Sequence, residues 1–312
     1  MTEAPDQRRL VARRTLAYVV EAARLITAII DADLVTALTF LAISRANVRR
    51  ITADRRMAES YAGAKDIPPD ALRTAVSVYS IAIELGLPYE TVRRHAAKLR
   101  SAGLVERLDR GLVIPLSTYA QPRFVAALGP NERLTDGLLR DLEAFGAAAG
   151  QAEDGAAEDM SRQTLRLSIE FFLDVIAACS RALEIDHLDV VILLAIGLHN
   201  VGSAVISGEE AQAYAGLRDV PPDEARRPVS TYLVARYLPL PLESARRRCA
   251  RLVQRGLVAR SSEGMIVPAA VSTSPALIDA FALIAELTDQ HVRRLADARS
   301  ALATRPAVRH LS

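Results

Sequence analysis

The residues best equipped for chemistry are cations at helical spacing, in Tyr89–Ser101 (YETVRRHAAKLRS) and again in Leu242–Gln254 (LESARRRCARLVQ). Arg94 and Lys98 are four apart, as are Arg247 and Arg251, so each pair shares one side of a helix. Arg93, Arg94, Arg246 and Arg247 have the forked donors that clamp a phosphate or read guanine. Thr91 and Ser244, near the helix starts, suit hydrogen bonds to phosphate. His95 and its counterpart Arg248 read as polar or cationic contacts. Arg107, Arg110 and Arg260 follow in a hairpin, where they would meet a sugar-phosphate backbone or an adjacent minor groove. Glu90 and Glu243 are expected to orient the arginines by local pairing rather than to read cytosine.

This is binding chemistry, and reactive chemistry leaves no comparable trace. The chain has no phosphate-binding glycine loop, dinucleotide signature, nucleophile elbow or zinc-ligand spacing. Its five His are scattered, and carboxylate pairs such as Glu209-Glu210 fall in polar loops. The expectation is a protein that is not an enzyme and carries neither cofactor nor metal.

The elements that must hold these cations come in a fixed order. In Leu87–Pro115, Val92, Ala96 and Leu99 mark the packed side of a helix, and Gly103 ends it. Leu104–Leu108 and Leu112–Ile114 then read as two short strands around Asp109, Arg110 and Gly111, a hairpin with turn chemistry at its tip. Upstream, Val76-Ser77 reads as a small strand, Val78–Leu85 as a short helix, and Pro88 fixes the turn before the cation-bearing helix. The order repeats: Leu240 follows Leu87 by 153 positions, and Asp66–Pro115 aligned without gaps on Asp219–Pro268 gives 23 identities in 50 positions. The pattern is that of an internal duplication.

TVRRHAAKLRSAGLVERLDRG resembles the recognition helix and wing of winged-helix (helix-turn-helix) bacterial transcription regulators, and is similar in particular to the GntR-like DNA-binding segment. The resemblance covers about fifty residues per copy, omits an effector domain, and has an incomplete wing signature. It implies a bacterial, mainly α protein with small β-wings, in which two tandem winged-helix domains bind double-stranded DNA. The expected function is sequence-specific transcription regulation with two winged helices in one chain, a possible homodimer, and an unknown small-molecule effector. Two alternatives remain open: a replication initiator on origin repeats, and a tandem winged-helix adaptor that binds protein, against which the doubled arginine pairs argue.

The 153-residue offset divides the 312 residues into a first half at 1–146, an acidic, small-residue linker at 147–160 and a second half at 161–312. Aromatics are 4% and Trp is absent, so the cores should be aliphatic and helical. Formal net charge is only +2, yet Pro88–Gly111 carries +3 and Pro241–Gly264 carries +4, concentrating positive charge on the reading elements. Cys179 and Cys249 are not at equivalent positions and read as inert core thiols of a reducing compartment. No apolar export-signal pattern opens the chain. The apolar runs Leu34–Val48 and Val190–Ile206 read as buried helices rather than membrane spans. A cytoplasmic, nucleoid-associated location is expected.

Further helices are expected over Gln7–Ile30, Leu34–Arg49, His187–Val201, Thr118–Pro130, Asn131–Phe145 and Pro275–Ala298, with Asp31 or Asp33 and Asn131 as caps. Pro68-Pro69-Asp70 reads as the start of a short helical piece. Asn47 and Asn200 are assigned to helix-end capping ahead of phosphate contact. Phe171 and Phe172 are assigned to core packing ahead of lining a ligand pocket. The basic tail Arg305–His310 is read as disordered.

Overall fold

The computed structural model describes residues 6–146, 159–208 and 210–303, so the linker core at 147–158 and the basic tail lie outside the described residues. The chain is mainly helical with two small antiparallel hairpins. The first half contains α1 (Arg8–Ile30), α2 (Leu34–Ala53), α3 (Arg55–Ser60), α4 (Val78–Leu85), α5 (Tyr89–Ser101), β1 (Glu106–Leu108), β2 (Gly111–Val113), α6 (Leu116–Tyr119), α7 (Pro122–Ala126) and α8 (Leu128–Ala144). The second contains α9 (Ser161–Leu183), α10 (His187–Ser207), α11 (Thr231–Tyr237), α12 (Leu242–Gln254), β3 (Ala259–Arg260), β4 (Met265–Ile266), α13 (Ala269–Ser272) and α14 (Pro275–Ala303). α10 is interrupted at Gly202, whose φ of 70° and ψ of 175° are not helical. Pro69 and Pro222 precede single 3-10 turns at Asp70–Leu72 and Asp223–Ala225.

Local chemistry explains several boundaries. Asp33 caps α2 by accepting from the Thr36 N–H at 3.0 Å, and Ser77 and Ser230 cap α4 and α11 by accepting from Ser80 and Leu233. Asp31 instead ends α1 in the left-handed region. Asn131 does not cap. α8 begins at Leu128 and takes Pro130 within its first turn, where a missing N–H costs nothing, so Asn131 lies inside the helix.

Asn47 and Asn200 are neither caps nor surface groups, and both are fully buried. Asn47 Nδ2 donates to the Thr74 carbonyl at 2.7 Å and the Leu112 carbonyl at 3.1 Å, while its Oδ1 accepts from the Ile114 N–H at 2.8 Å. Asn200 does the same with Arg227 (2.7 Å), Met265 (3.1 Å) and Val267 (2.9 Å). Each amide thus bonds three backbone groups, one of them a carbonyl that the bridge from Val76 or Val229 also reaches, tying α2 or α10 to the second strand of its hairpin. Val76 and Val229 add the expected bridge to each hairpin, pairing with Leu112 and Met265.

The long helices cross between the halves. α1 packs on α10 and α14 as well as on α8 and α2 of its own half, and α9 packs on α2 and α8 as well as on α14 and α10 of its own. Arg9 donates to the Leu217 and Ser272 carbonyls, each at 2.7 Å, and Arg13 donates to those of Tyr214 and Ala211, each at 3.0 Å. In return Arg162 donates to the Ala64 (2.7 Å) and Tyr119 (3.4 Å) carbonyls, and Arg166 to those of Tyr61 (2.7 Å) and Ala58 (3.0 Å). Every donor and acceptor in one set lies 153 positions from its equivalent in the other. Thr15 with Thr288, and Ser168 with Thr135, repeat the exchange at 2.8 and 3.2 Å. Charged bonds of this kind contribute about 1.5–3 kcal/mol each. One apolar cluster runs through residues of both halves, from Leu16 and Leu38 to Phe172, Ile192 and Ile284.

Among the described residues no single helix is long and apolar enough to cross a membrane. α1 and α2 pass that test only as a pair bent by 94°, and their apolar residues belong to the shared core.

Candidate nucleic-acid interface

Each cation-bearing helix is seated by its inner face. Val92, Ala96 and Leu99 of α5, and Ala245, Cys249 and Leu252 of α12, enter the core, and α2 and α10 pack behind them. The outer faces are basic. Arg93 and Arg94, like Arg246 and Arg247, are exposed. Arg93 is paired with Glu90 and Arg246 with Glu243, both at 2.8 Å, which is the local orientation expected of the two glutamates. Arg94 and Arg247 have no ion-pair partner among the described residues.

The next turn departs from the sequence expectation. His95 is only 5% exposed, and its Nδ1 lies 2.7 Å from Thr36 Oγ1 on α2. Burial pushes the imidazole below its ordinary pKa, against the opposing pull of Asp33. His95 is therefore removed from the surface that Arg93 and Arg94 share. Arg248 is also turned inward: its guanidinium meets Asp186 at 2.8 Å and Asp189 at 2.6 Å, with the side chain 17% exposed. Periodicity places both residues beside the reading face, but at this angle the side chain meets the start of the supporting helix. Lys98 and Arg251 are intermediate, exposed yet leaning on Asp33 (2.9 Å) and on Asp189 (2.8 Å).

Thr91 and Ser244 are half-buried in the first turns of α5 and α12. The hairpins follow these helices in the chain and pack on α2 and α10, and Arg107, Arg110 and Arg260 are exposed on them. Gly111 opens β2 and Gly264 immediately precedes β4, at φ 136° and 145°, and a Cβ there would lie 2.4 and 2.9 Å from the Val76 and Val229 carbonyl oxygens. Only glycine lets each hairpin close so tightly on the strand before the helix pair.

Two surface residues stand outside the sequence expectation. Tyr79 and Tyr232 begin α4 and α11 at equivalent positions and are 65% and 57% exposed. Their identity across the two halves is visible in the sequence, and only the structure shows that neither ring is buried, Tyr232 having the Arg236 guanidinium 5.8 Å from its ring. A tyrosine there offers a ring to sugar and a hydroxyl to phosphate.

Cys179 and Cys249 are buried and unpaired, and burial pushes their thiols up to about 12 and about 11. Among the described residues no group of His, Cys, Asp and Glu is arranged to hold a metal ion. No family model matches the chain, and no curated protein or solved structure matches it.

Proposed function

We propose that the protein is a sequence-specific DNA-binding transcription regulator that presents two winged helices from one polypeptide, the halves related by tandem duplication. The observation that carries this reading is which exposed positions agree between the halves. Most identities are buried, cap a helix or shape a turn. Those left without a packing role include Tyr79/Tyr232, Arg93/Arg246, Arg94/Arg247 and Arg107/Arg260, together with Glu90/Glu243, which pair with Arg93 and Arg246; all are on the helix pair or the hairpin. A solvated face has no need to keep the same cations at the same angles, whereas two heads that each grip a phosphate backbone do.

α5 and α12 would each enter a major groove, with Arg94 and Arg247 directed at phosphate or guanine and the wings lying along the backbone. The exchanged helices α1 and α9 give the two heads a fixed relation, as a dimer interface does for a two-subunit regulator. The heads differ at Thr91/Ser244, Lys98/Arg251 and Arg110/Glu263, so the target is an asymmetric site with unlike halves.

Selection of duplexes by the intact chain tests this. The expected result is a site of two unlike half-sites whose binding weakens in Arg93→Ala/Arg94→Ala and in Arg246→Ala/Arg247→Ala. The slope of log affinity against log salt should fall by about 0.9 for each phosphate no longer neutralised. Folded double variants that bind like the parent would overturn the assignment.

A further inference from the structure

A cavity of about 60 Å³ lies where the halves interlock, between α1, α2, the α6 to α8 segment and α9. Five of the protein's 6 Phe and 8 Tyr face it: Tyr18, Phe40, Tyr119, Phe124 and Phe172. Phe172, assigned from sequence to packing alone, is buried and also borders this space. In the other half the positions of Phe40, Tyr119, Phe124 and Phe172 hold Leu193, Ser272, Leu277 and Val19. There the Phe281 ring lies under the Arg9 guanidinium at 4.5 Å. Of the five only Tyr18 has an aromatic counterpart, Phe171, so most of the aromatic lining is absent from the equivalent place between the halves.

Two polar groups give the cavity a chemical preference. Asn131 lines it, is 8% exposed, and its Nδ2 has no hydrogen-bond partner. The equivalent residue is Ile284, so this orphan donor is not required by the helix pairing. Arg162 also lines the cavity; it is buried, spends its bonds on the Ala64 and Tyr119 carbonyls, and has no ion-pair partner among the described residues. Water is a poor occupant, because a buried water needs roughly 2–4 polar partners and the walls are mainly apolar. At roughly 10–15 Å³ per water in this measure, the space suits a small ring.

We infer that this cavity is a binding site for a small aromatic or cyclic carboxylate, its ring among the aromatic side chains and its oxyanion accepting from Asn131 Nδ2 in the field of Arg162. The site touches the machinery described above. α2 supplies Phe40, Leu41 and Ser44 to the cavity, carries Asn47 that ties down the first wing, and packs behind α5. An occupant that separates α2 from α9 therefore moves one head relative to the other. Binding of the carboxylate is independent of the DNA reading, while this regulatory consequence rests on it.

The test uses the full chain with labelled Ile and Leu methyl groups, titrated with sodium benzoate, benzyl alcohol and toluene. The expected result is saturable benzoate binding that shifts Ile26, Ile29, Leu165 and Ile169 but not Leu193 or Ile284. Asn131→Ile, which installs the residue of the other half, should weaken benzoate at least tenfold and leave toluene unaffected. If that variant does not fold, the near-isosteric Asn131→Asp should repel benzoate to the same degree. No saturable benzoate binding at millimolar concentration, toluene bound in preference to benzoate, or unchanged affinity in the folded variant would each overturn the site. Benzoate should also alter the parent's affinity for its selected duplex and not that of the variant. A parent that binds no duplex at all defeats the DNA reading while leaving the methyl titration to decide the site.

Discussion

The two halves fasten their cation-bearing helices α5 and α12 at the same corner with different chemistry. In the first, Thr36 meets a neutral His95 while Asp33 takes Lys98; in the second, Asp189 stands at the position of Thr36, Arg248 at that of His95, Asp186 at that of Asp33 and Arg251 at that of Lys98. A hydrogen bond and one ion pair have become a cluster of two carboxylates and two guanidiniums. Burial and the neighbouring Asp186 raise the pKa of Asp189 above its ordinary value, against the pull of Arg248 and Arg251. Burial alone would lower Arg248, but the two carboxylates hold it above its ordinary value. The corner needs complementary partners rather than particular ones.

The largest effect should fall on what the heads share. Asn47→Ala and Asn200→Ala each leave two buried backbone groups without a partner, because the Leu112 and Met265 carbonyls keep their bonds from Val76 and Val229, and either should cost about 2–4 kcal/mol in denaturant unfolding. A much smaller cost in one half would mean that its wing is held by other means.

Where the heads differ, the losses should differ. Arg248→Ala leaves Asp189 buried with only Arg251 beside it and should cost about 3 kcal/mol, whereas His95→Ala breaks one neutral hydrogen bond and should cost about 1 kcal/mol plus the lost packing. Exchanging both partners sharpens the point. Thr36→Asp with His95→Arg should recover most of the stability lost by Thr36→Asp alone, and a double-mutant cycle without coupling would remove the idea of interchangeable partners.

Acid should separate the halves as well. His291 stacks on Phe171 at 4.2 Å, neither ring nitrogen is hydrogen-bonded, and burial lowers its pKa to about 3; the equivalent residue is Leu138. The unfolded chain takes up a proton near the ordinary value of 6.5, but the folded chain does not until about 3. Stability therefore falls as pH drops through that window, by about 1.4 kcal/mol per pH unit for this group. His291→Leu should flatten that limb in unfolding experiments across acid pH. An unchanged slope would mean that His291 is protonated in the folded state.

The smallest effect concerns the wing tips, where Arg110 faces solvent in one half and Glu263 in the other. Arg110→Glu should lower DNA affinity by only a few fold and reduce the salt slope by at most about 0.9, the share of one phosphate. Glu263→Arg should raise both, and no response in either variant would take the tips out of the interface.

Much of the architecture is legible along the chain because it depends on short-range rules. Apolar spacing sets α5 and α12, Asp33 sets a helix start, and Gly111 and Gly264 set the hairpins, since each acts within a few residues of its own position; Ser77, read with Val76 as strand, instead caps α4. The offset of 153 is equally plain. Two features required the third dimension. His95 and Arg248 lie only one residue from Arg94 and Arg247, a rotation of about 100° on a helix, and whether that turn faces solvent depends on how closely α2 and α10 approach. The exchange of α1 and α9 is hidden for a different reason. Arg9, Arg13, Arg162 and Arg166 bond to backbone carbonyls of the opposite half, and a carbonyl has no residue type by which the sequence could announce it. The aromatic cavity belongs with them, because its lining residues are scattered from Tyr18 to Phe172 and Asn131 becomes an unmatched donor only when the halves close around it.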